Sequence, residues 1–377
     1  MAGFYVHIPF CRQACRYCDF YFTVSLKYMP DLVKAMIAEM EMRAGEYSGQ
    51  LFETLYFGGG TPSLLTMDDL DRLLETVYRC YHFSEDVEFT FEVNPDDLTV
   101  QYIHDLKARG VNRLSIGIQS FRDQDLNLMR RSHSAETARK ALSFALEAGI
   151  TNMSADLMYG VPGMSTGDFV KNLEELIQFG IPHISAYHLT FEEGTVFDHW
   201  KKRGRISPPP EDESLQQYAA LRKITKKKGY LHYEISNFAQ EGFFSRHNLN
   251  YWKQIPYIGI GPSAHSYAGD IRRWNISSLS KYISSLQNMD GKYFDKEILT
   301  VVDLYNEYVL TSLRTMWGIN TDEIGRRFGD NYVKYTMETA NKFIRGGELK
   351  VNDSILCLSE KGIYLADYLV REFFMTE

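Results

Sequence analysis

Three cysteines suggest the first chemistry. Cys11, Cys15 and Cys18 stand in the spacing C-x3-C-x2-C, with Tyr17 before the last, directly after the apolar run FYVHIP at 4–9. Three thiolates on one loop can wrap one metal centre. Zinc is the plain candidate, yet a structural zinc site needs a fourth ligand and usually a second cysteine pair. The chain has only 5 cysteines. Cys80 and Cys357 stand alone in apolar surroundings and read as small buried hydrophobes. An odd count argues against a disulfide framework. Three cysteines on a four-iron cluster would leave one iron open to a coordinating ligand.

Further residues of the right type follow. GGGTP at 58–62 comes after a second strand pattern, where glycines let a backbone approach a polar ligand and offer it N–H groups. Glu92, Gln119 and Asp156 stand at or near the ends of successive strand patterns, and Arg131 follows the fourth. Each alone would be a cap or a salt bridge. Together they suit a zwitterionic cofactor with a ribose, which needs carboxylates, an amide and a cation. HNLNYW (247–252) and GIGPSAHS (259–266) come later. His247 precedes two aromatics that could stack on a flat ligand, and imidazole is a common axial ligand of haem iron. The rival reading is a hydrogen-bonded His–Asn loop over a barrel mouth, and residue type alone favours it.

The elements that must position these groups alternate. Strand patterns fall at 4–9, 53–57, 87–92, 112–117, 152–158 and 183–188, with helical patterns at 30–46, 66–82, 98–109, 134–148 and 166–179 between them. Such alternation means βαβ units and a parallel sheet. Six units, with no G-x-G-x-x-G after the first strand, fit an α/β fold built as a partial (β/α)6 barrel better than a doubly wound sheet. In a barrel the loops after the strands share one face, where active sites sit. ISPPPEDES at 206–214 breaks the pattern. Helical runs at 301–316, 320–328 and 331–345, a hairpin pattern at 346–362 and a final helix at 361–374 read as a smaller α+β, winged-helix-like unit. The expected division is a barrel over 1–205, a covering segment with the HNxxYW motif over 206–295, and the winged-helix-like unit over 296–377.

Composition limits the function classes. The chain has 377 residues, 44% of them hydrophobic, with 25 Tyr, 23 Phe and 4 Trp. That is ample for large cores and excludes a disordered chain. Lys and Arg number 41 against 49 Asp and Glu, a net charge of −8, so no nucleic-acid partner is expected. No signal-peptide or membrane-span pattern is seen, and a cytoplasmic location is expected.

In order along the chain, YVHIPFCRQACRYCDF, FGGGTPS, EVNPDDL, RLSIGIQSF, ADLMYGVPG, HNLNYW and GIGPSAHSY resemble the landmarks of the coproporphyrinogen III oxidase-like radical S-adenosylmethionine (SAM) proteins. Two classes matter there: the oxygen-independent oxidase, a radical decarboxylase, and the HemW-type haem chaperones. The oxidase carries a further cysteine two positions after the third cluster cysteine, where Phe20 stands here, and a long extension before the cluster. HNxxYW is the haem-associated motif of the chaperone class. The resemblance therefore favours the chaperones over the oxidase. It implies a [4Fe–4S] cluster on Cys11, Cys15 and Cys18, and SAM contacts from Tyr5, Tyr17, Gly59, Gly60, Thr61, Glu92, Gln119, Arg131 and Asp156. It further implies haem on His247, shaped by Asn248, Tyr251 and Trp252, with His7 and His265 as competing ligands. Expected partners are haem and acceptor haemoproteins such as membrane-bound respiratory subunits, with a homodimer left open.

Overall fold

The six strand patterns of the first half form β1 (Gly3–Ile8), β2 (Leu51–Gly59), β3 (His82–Val93), β4 (Arg113–Gln119), β5 (Met153–Tyr159) and β6 (His183–His188). They lie side by side in chain order and pair in parallel. The structure is a computed structural model and describes residues 2–376. Helices Met29–Arg43, Met67–Cys80, Val100–Ala108, Ala135–Glu147 and Thr166–Gln178 carry the crossovers. Parallel neighbours require such crossovers, and their handedness puts the helices on the outer face. This is the expected partial (β/α)6 barrel.

Side-chain parity on the strands sorts the two faces. Phe4, Val6 and Ile8 on β1, Phe89 and Phe91 on β3, and Leu114 and Ile116 on β4 are buried in the main core. The alternate residues, among them Tyr5, His7, Glu92, Ser115, Gly117 and Asp156, line a cavity inside the barrel. A strand's period of two thus gives one apolar face for the helices and one polar face for the interior.

The stretch after the barrel strands does not form one cover. It divides between the two edges of the sheet. β7 (Leu231–Glu234) and β8 (Asn237–Ala239) extend the β6 edge by antiparallel pairing. β9 (Tyr257–Ile260) pairs in parallel with β1, and β10 (His265–Ala268), β11 (Ile271–Asn275) and β12 (Phe294–Ile298) follow antiparallel. The result is a 12-stranded sheet. A buried polar knot ties the β9 extension to the first helix. Glu39 accepts from Asn275 Nδ2 at 2.8 Å, Gly261 N at 3.0 Å and Tyr282 Oη at 2.5 Å, and pairs with Arg43 at 3.2 Å. A buried carboxylate is tolerable only with such full pairing.

Helices Val301–Leu313, Thr321–Phe328 and Asp330–Gly346 pack with β13 (Ile319–Asn320), β14 (Leu349–Asn352) and β15 (Ile355–Leu358). Tyr305, Val309, Leu313, Phe343, Leu356 and Phe373 centre a second core there, the winged-helix-like pattern expected. The final helix is shorter than expected: a 3-10 turn, Gly362–Leu365, precedes Ala366–Glu372. Cys80 and Cys357 are half-buried rather than buried. Among the described residues no helix is long and apolar enough to cross a membrane.

Candidate functional site

The loops at the carboxyl ends of β1–β6 close over the polar interior and leave a cavity of about 530 Å³. Cys11, Cys15, Tyr17 and Cys18 line it from the loop after β1. Gly59, Gly60 and Thr61 line it from the end of β2, Glu92 from β3, Gln119 from β4 and Asp156 from β5, with Arg131 and Tyr5 completing the wall. The structure therefore gathers at one mouth the residues singled out along the first half of the chain.

Close approach explains the glycines. A Cβ on Gly60 would stand 2.6 Å from the Phe10 carbonyl oxygen and 3.0 Å from Cys11 Sγ. Gly59 has φ 111°, and a Cβ there would press the His7 ring at 2.7 Å. Only glycine lets β2 turn beneath the cysteine loop.

The polar wall is held from behind. Glu92 accepts from Tyr56 Oη at 2.6 Å through Oε1 and from Gly59 N at 3.1 Å through Oε2. Burial pushes the Glu92 carboxyl up to about 7, and the nearby Asp156 carboxylate adds to the rise. Burial likewise raises Asp156 to about 6. Arg131 donates through Nη2 to Asn94 Oδ1 at 2.7 Å and to the Gly117 carbonyl at 3.1 Å, while its Nη1 lies 3.6 Å from Cys15 Sγ. Asn94 in turn donates to Thr61 Oγ1 at 3.0 Å. Asn94 thus joins the site with no motif of its own; its parity with Glu92 just beyond β3 is the signal that points to it.

Three buried atoms at this mouth have no partner among the described residues: His7 Nε2, Gln119 Oε1 and Arg131 Nε. Buried polar atoms are rarely left so, and at a cavity wall they mark where a ligand's polar groups go. Gln119 also holds φ 66°, a strained backbone for a non-glycine residue at the end of its strand. Burial lowers His7 to about 4, so its ring is neutral at pH 7. Burial raises the Cys11 thiol and pushes Cys18 up to about 11. A bound metal centre reverses that direction by favouring the thiolate. The carboxylates, the orphan imidazole and amide, the exposed glycine backbone and the Arg131 cation fit a zwitterion with hydroxyls beside a three-cysteine cluster. No three His, Cys, Asp or Glu side chains among the described residues converge as a site for one metal ion.

HNLNYW lies elsewhere. It forms the short helix Arg246–Trp252, at the amino ends of the strands, opposite the cysteines. His247 Nδ1 is hydrogen-bonded to Thr54 Oγ1 at 2.8 Å, and Nε2 to Tyr251 Oη at 2.9 Å. Glu88 of β3 accepts from the backbone N–H of Arg246 and of His247, both at 3.1 Å. The ring is 1% exposed, and burial lowers its pKa to about 3. The segment is thus a floor rather than a loop over the mouth, and no ring nitrogen of His247 is free. Trp252 is half-buried beneath the Arg314 guanidinium, 5.9 Å away. Between floor and mouth lies a polar chamber of about 50 Å³, lined by Glu92, Asp156, Arg113, Ser245 and Asn248 among others. His265 is exposed on β10, its ring 6.4 Å from that of Trp274.

Comparison with known proteins agrees with this architecture. Residues 5–176 match the radical SAM superfamily, and residues 299–365 match the HemN C-terminal domain. The solved coproporphyrinogen III oxidase HemN of Escherichia coli superposes with a TM-score of 0.86 at 22% identity, over 99% of this chain and 90% of that one. Fold and site thus define a radical SAM protein, a class whose cofactors are a [4Fe–4S] cluster and SAM. The heme chaperone HemW of Bacillus subtilis is 31% identical over 99% of both chains. The protein of that name from Mycobacterium tuberculosis is 33% identical over 98% of this chain and 94% of its own. The mitochondrial radical S-adenosyl methionine domain-containing protein 1 of Bos taurus is 30% identical over 97% and 82%. The chain belongs to the HemW family.

Proposed function

We propose that this protein binds haem and delivers it to acceptor haemoproteins, and that its barrel mouth holds a [4Fe–4S] cluster and SAM. The observation that carries the reading is the likeness, over 99% of both chains, to a relative named as a heme chaperone. Phe20 supports it. At the position where the oxidase resemblance expects a further cysteine, Phe20 stands 70% exposed on the rim of the cavity.

In this reading Cys11, Cys15 and Cys18 are the cluster ligands. Tyr5, Tyr17, Gly59, Gly60, Thr61, Glu92, Gln119, Arg131 and Asp156 form the SAM pocket. When bound, the cluster and SAM supply one-electron chemistry. The chain's own residues bind, orient and exclude water: Glu92 and Asp156 take hydroxyl or ammonium groups, Arg131 takes a carboxylate, and the barrel wall keeps solvent out. For haem, His247 can serve only if the helix Arg246–Trp252 leaves the floor, since both ring nitrogens are engaged. His7 keeps an unpartnered Nε2 at the mouth.

The test is an anaerobic haem titration followed by Soret absorbance, on the native protein and on His247→Ala, His7→Ala and His265→Ala, with transfer to an apo-acceptor as the second readout. Saturable binding with transfer is expected. Absent binding, together with deoxyadenosine formation dependent on coproporphyrinogen III, would replace this reading with the oxidase.

A further inference from the structure

The floor and the mouth are joined by a contiguous path of side chains. His247 stacks on Tyr56 with ring centroids 4.9 Å apart and planes at 29°. It also stacks on Tyr5 at 6.1 Å and 26°. Tyr56 then donates its hydroxyl to Glu92 Oε1 at 2.6 Å, and Glu92 takes the Gly59 N–H at 3.1 Å. The imidazole is fixed at both nitrogens, by Thr54 on β2 and by Tyr251 on its own helix. It is therefore a rigid backstop for the Tyr56 ring. Tyr56 and Glu92 also line the polar chamber, so the packed support of the Tyr56 ring comes from the His247 and Tyr5 rings.

We propose that His247 is a positioning residue for the SAM pocket: through Tyr56 it sets the place of the Glu92 carboxylate, from the opposite end of the barrel. The proposal rests on the reading that SAM binds at the mouth, and it gives the HNLNYW helix a task in that site that needs no coordination to iron. The two sites then communicate over roughly 15 Å of strand, the length of β2 from Thr54 to Gly58–Gly59. Any event that lifts the helix from the floor releases Tyr56 and weakens SAM binding. By reciprocity, bound SAM holds the helix down.

The experiment uses the full chain with its cluster reconstituted. SAM affinity is measured by equilibrium dialysis, and SAM at the cluster by the change it causes in the electron paramagnetic resonance spectrum of the reduced protein. The variants are Tyr56→Phe, His247→Leu, His247→Gln, Thr54→Val and the double variant Tyr56→Phe/His247→Leu, each checked for iron content and melting temperature. Tyr56→Phe should weaken SAM about tenfold, the size of one lost hydrogen bond to a carboxylate. His247→Leu should weaken it by several-fold. Thr54→Val, which changes one atom and keeps the volume, covers the case in which His247→Leu fails to fold, and should also weaken SAM measurably. His247→Gln, able to bridge Thr54 and Tyr251, should recover part of the loss. The double variant should bind SAM no worse than Tyr56→Phe alone, because the histidine acts through the tyrosine.

Additive losses in the double variant, or native SAM affinity in a folded His247→Leu or Thr54→Val, would overturn the proposal. A native protein with a full cluster and no SAM binding would instead overturn the reading beneath it.

Discussion

Two histidines at opposite ends of the barrel are held in opposite ways. At the floor His247 is buried, neutral and bonded at both nitrogens. At the mouth His7 is buried and neutral with one nitrogen bonded to Tyr5 and the other without a partner. Carboxylates repeat the contrast. Glu88, near the floor, and Glu92 each accept two hydrogen bonds, but Glu92 faces the cavity beside Asp156 and is pushed up to about 7. At His247 and Glu88 the floor is fully paired. The mouth carries unmet polar demand, which is the usual state of a site awaiting a ligand.

The sharpest way to break this contrast is at the cysteines. Cys11→Ala, Cys15→Ala and Cys18→Ala should each abolish cluster loading, from about four irons per chain to nearly none, with little change in the far-ultraviolet spectrum. Iron analysis and circular dichroism read this directly. Retained iron in any of the three would remove that cysteine from the ligand set.

At the floor the expected effect is on folding. His247→Leu leaves the Tyr251 hydroxyl without its partner and Thr54 Oγ1 with only the long bond from Asn250 Nδ2, 3.4 Å, and should cost about 3 kcal/mol in urea unfolding. Less than about 1 kcal/mol would mean the ring is not structural.

Glu92→Gln at the mouth should act in the opposite direction. The folded-state pKa of Glu92 is raised, so burial favours the protonated form and stability is lost as pH rises from about 4.5 through about 7. The cluster-free variant should therefore be more stable than the native chain by about 2 kcal/mol at pH 8 and equal to it at pH 4. It should also bind SAM poorly. A variant that is less stable at pH 8 would refute the strain ascribed to the mouth.

The smallest effect is an acid slope. His247 is held at about 3, below its unfolded value, so its contribution is present above pH 6.5 and lost as pH falls toward 3. Across that window each such histidine makes stability fall by about 1.4 kcal/mol per pH unit. His247→Gln should remove one histidine's share of the slope between pH 6 and 4.5, read from paired denaturation curves.

Much of this was legible in the sequence because it is local. The six strands announce themselves by alternating residues, the cysteine loop by its spacing, and the polar residues at strand ends by their shared parity. Glu92, Gln119 and Asp156 needed only the barrel rule to be placed at one mouth. The destination of HNLNYW was not legible. Its partners Thr54 and Glu88 are 193 and 159 residues away, and nothing in a short histidine-bearing helix says which end of a barrel it closes. The division of 230–298 between both sheet edges was hidden for the same reason: edge strands of three to five residues carry too little pattern to reveal their neighbour. The unpartnered His7 Nε2 and Gln119 Oε1 emerge only once every neighbour has a place.

The pairing of β9 with β1 has a consequence for how the chain is made. Gly3 finds Tyr257 and Val6 finds Ile260, so the strand that launches the cysteine loop stays an open sheet edge until nearly 260 residues have left the ribosome. At about 5–20 residues per second that delay is tens of seconds from the first residues onward. A nascent chain in that interval exposes an apolar strand edge, the kind of surface that recruits wrong partners.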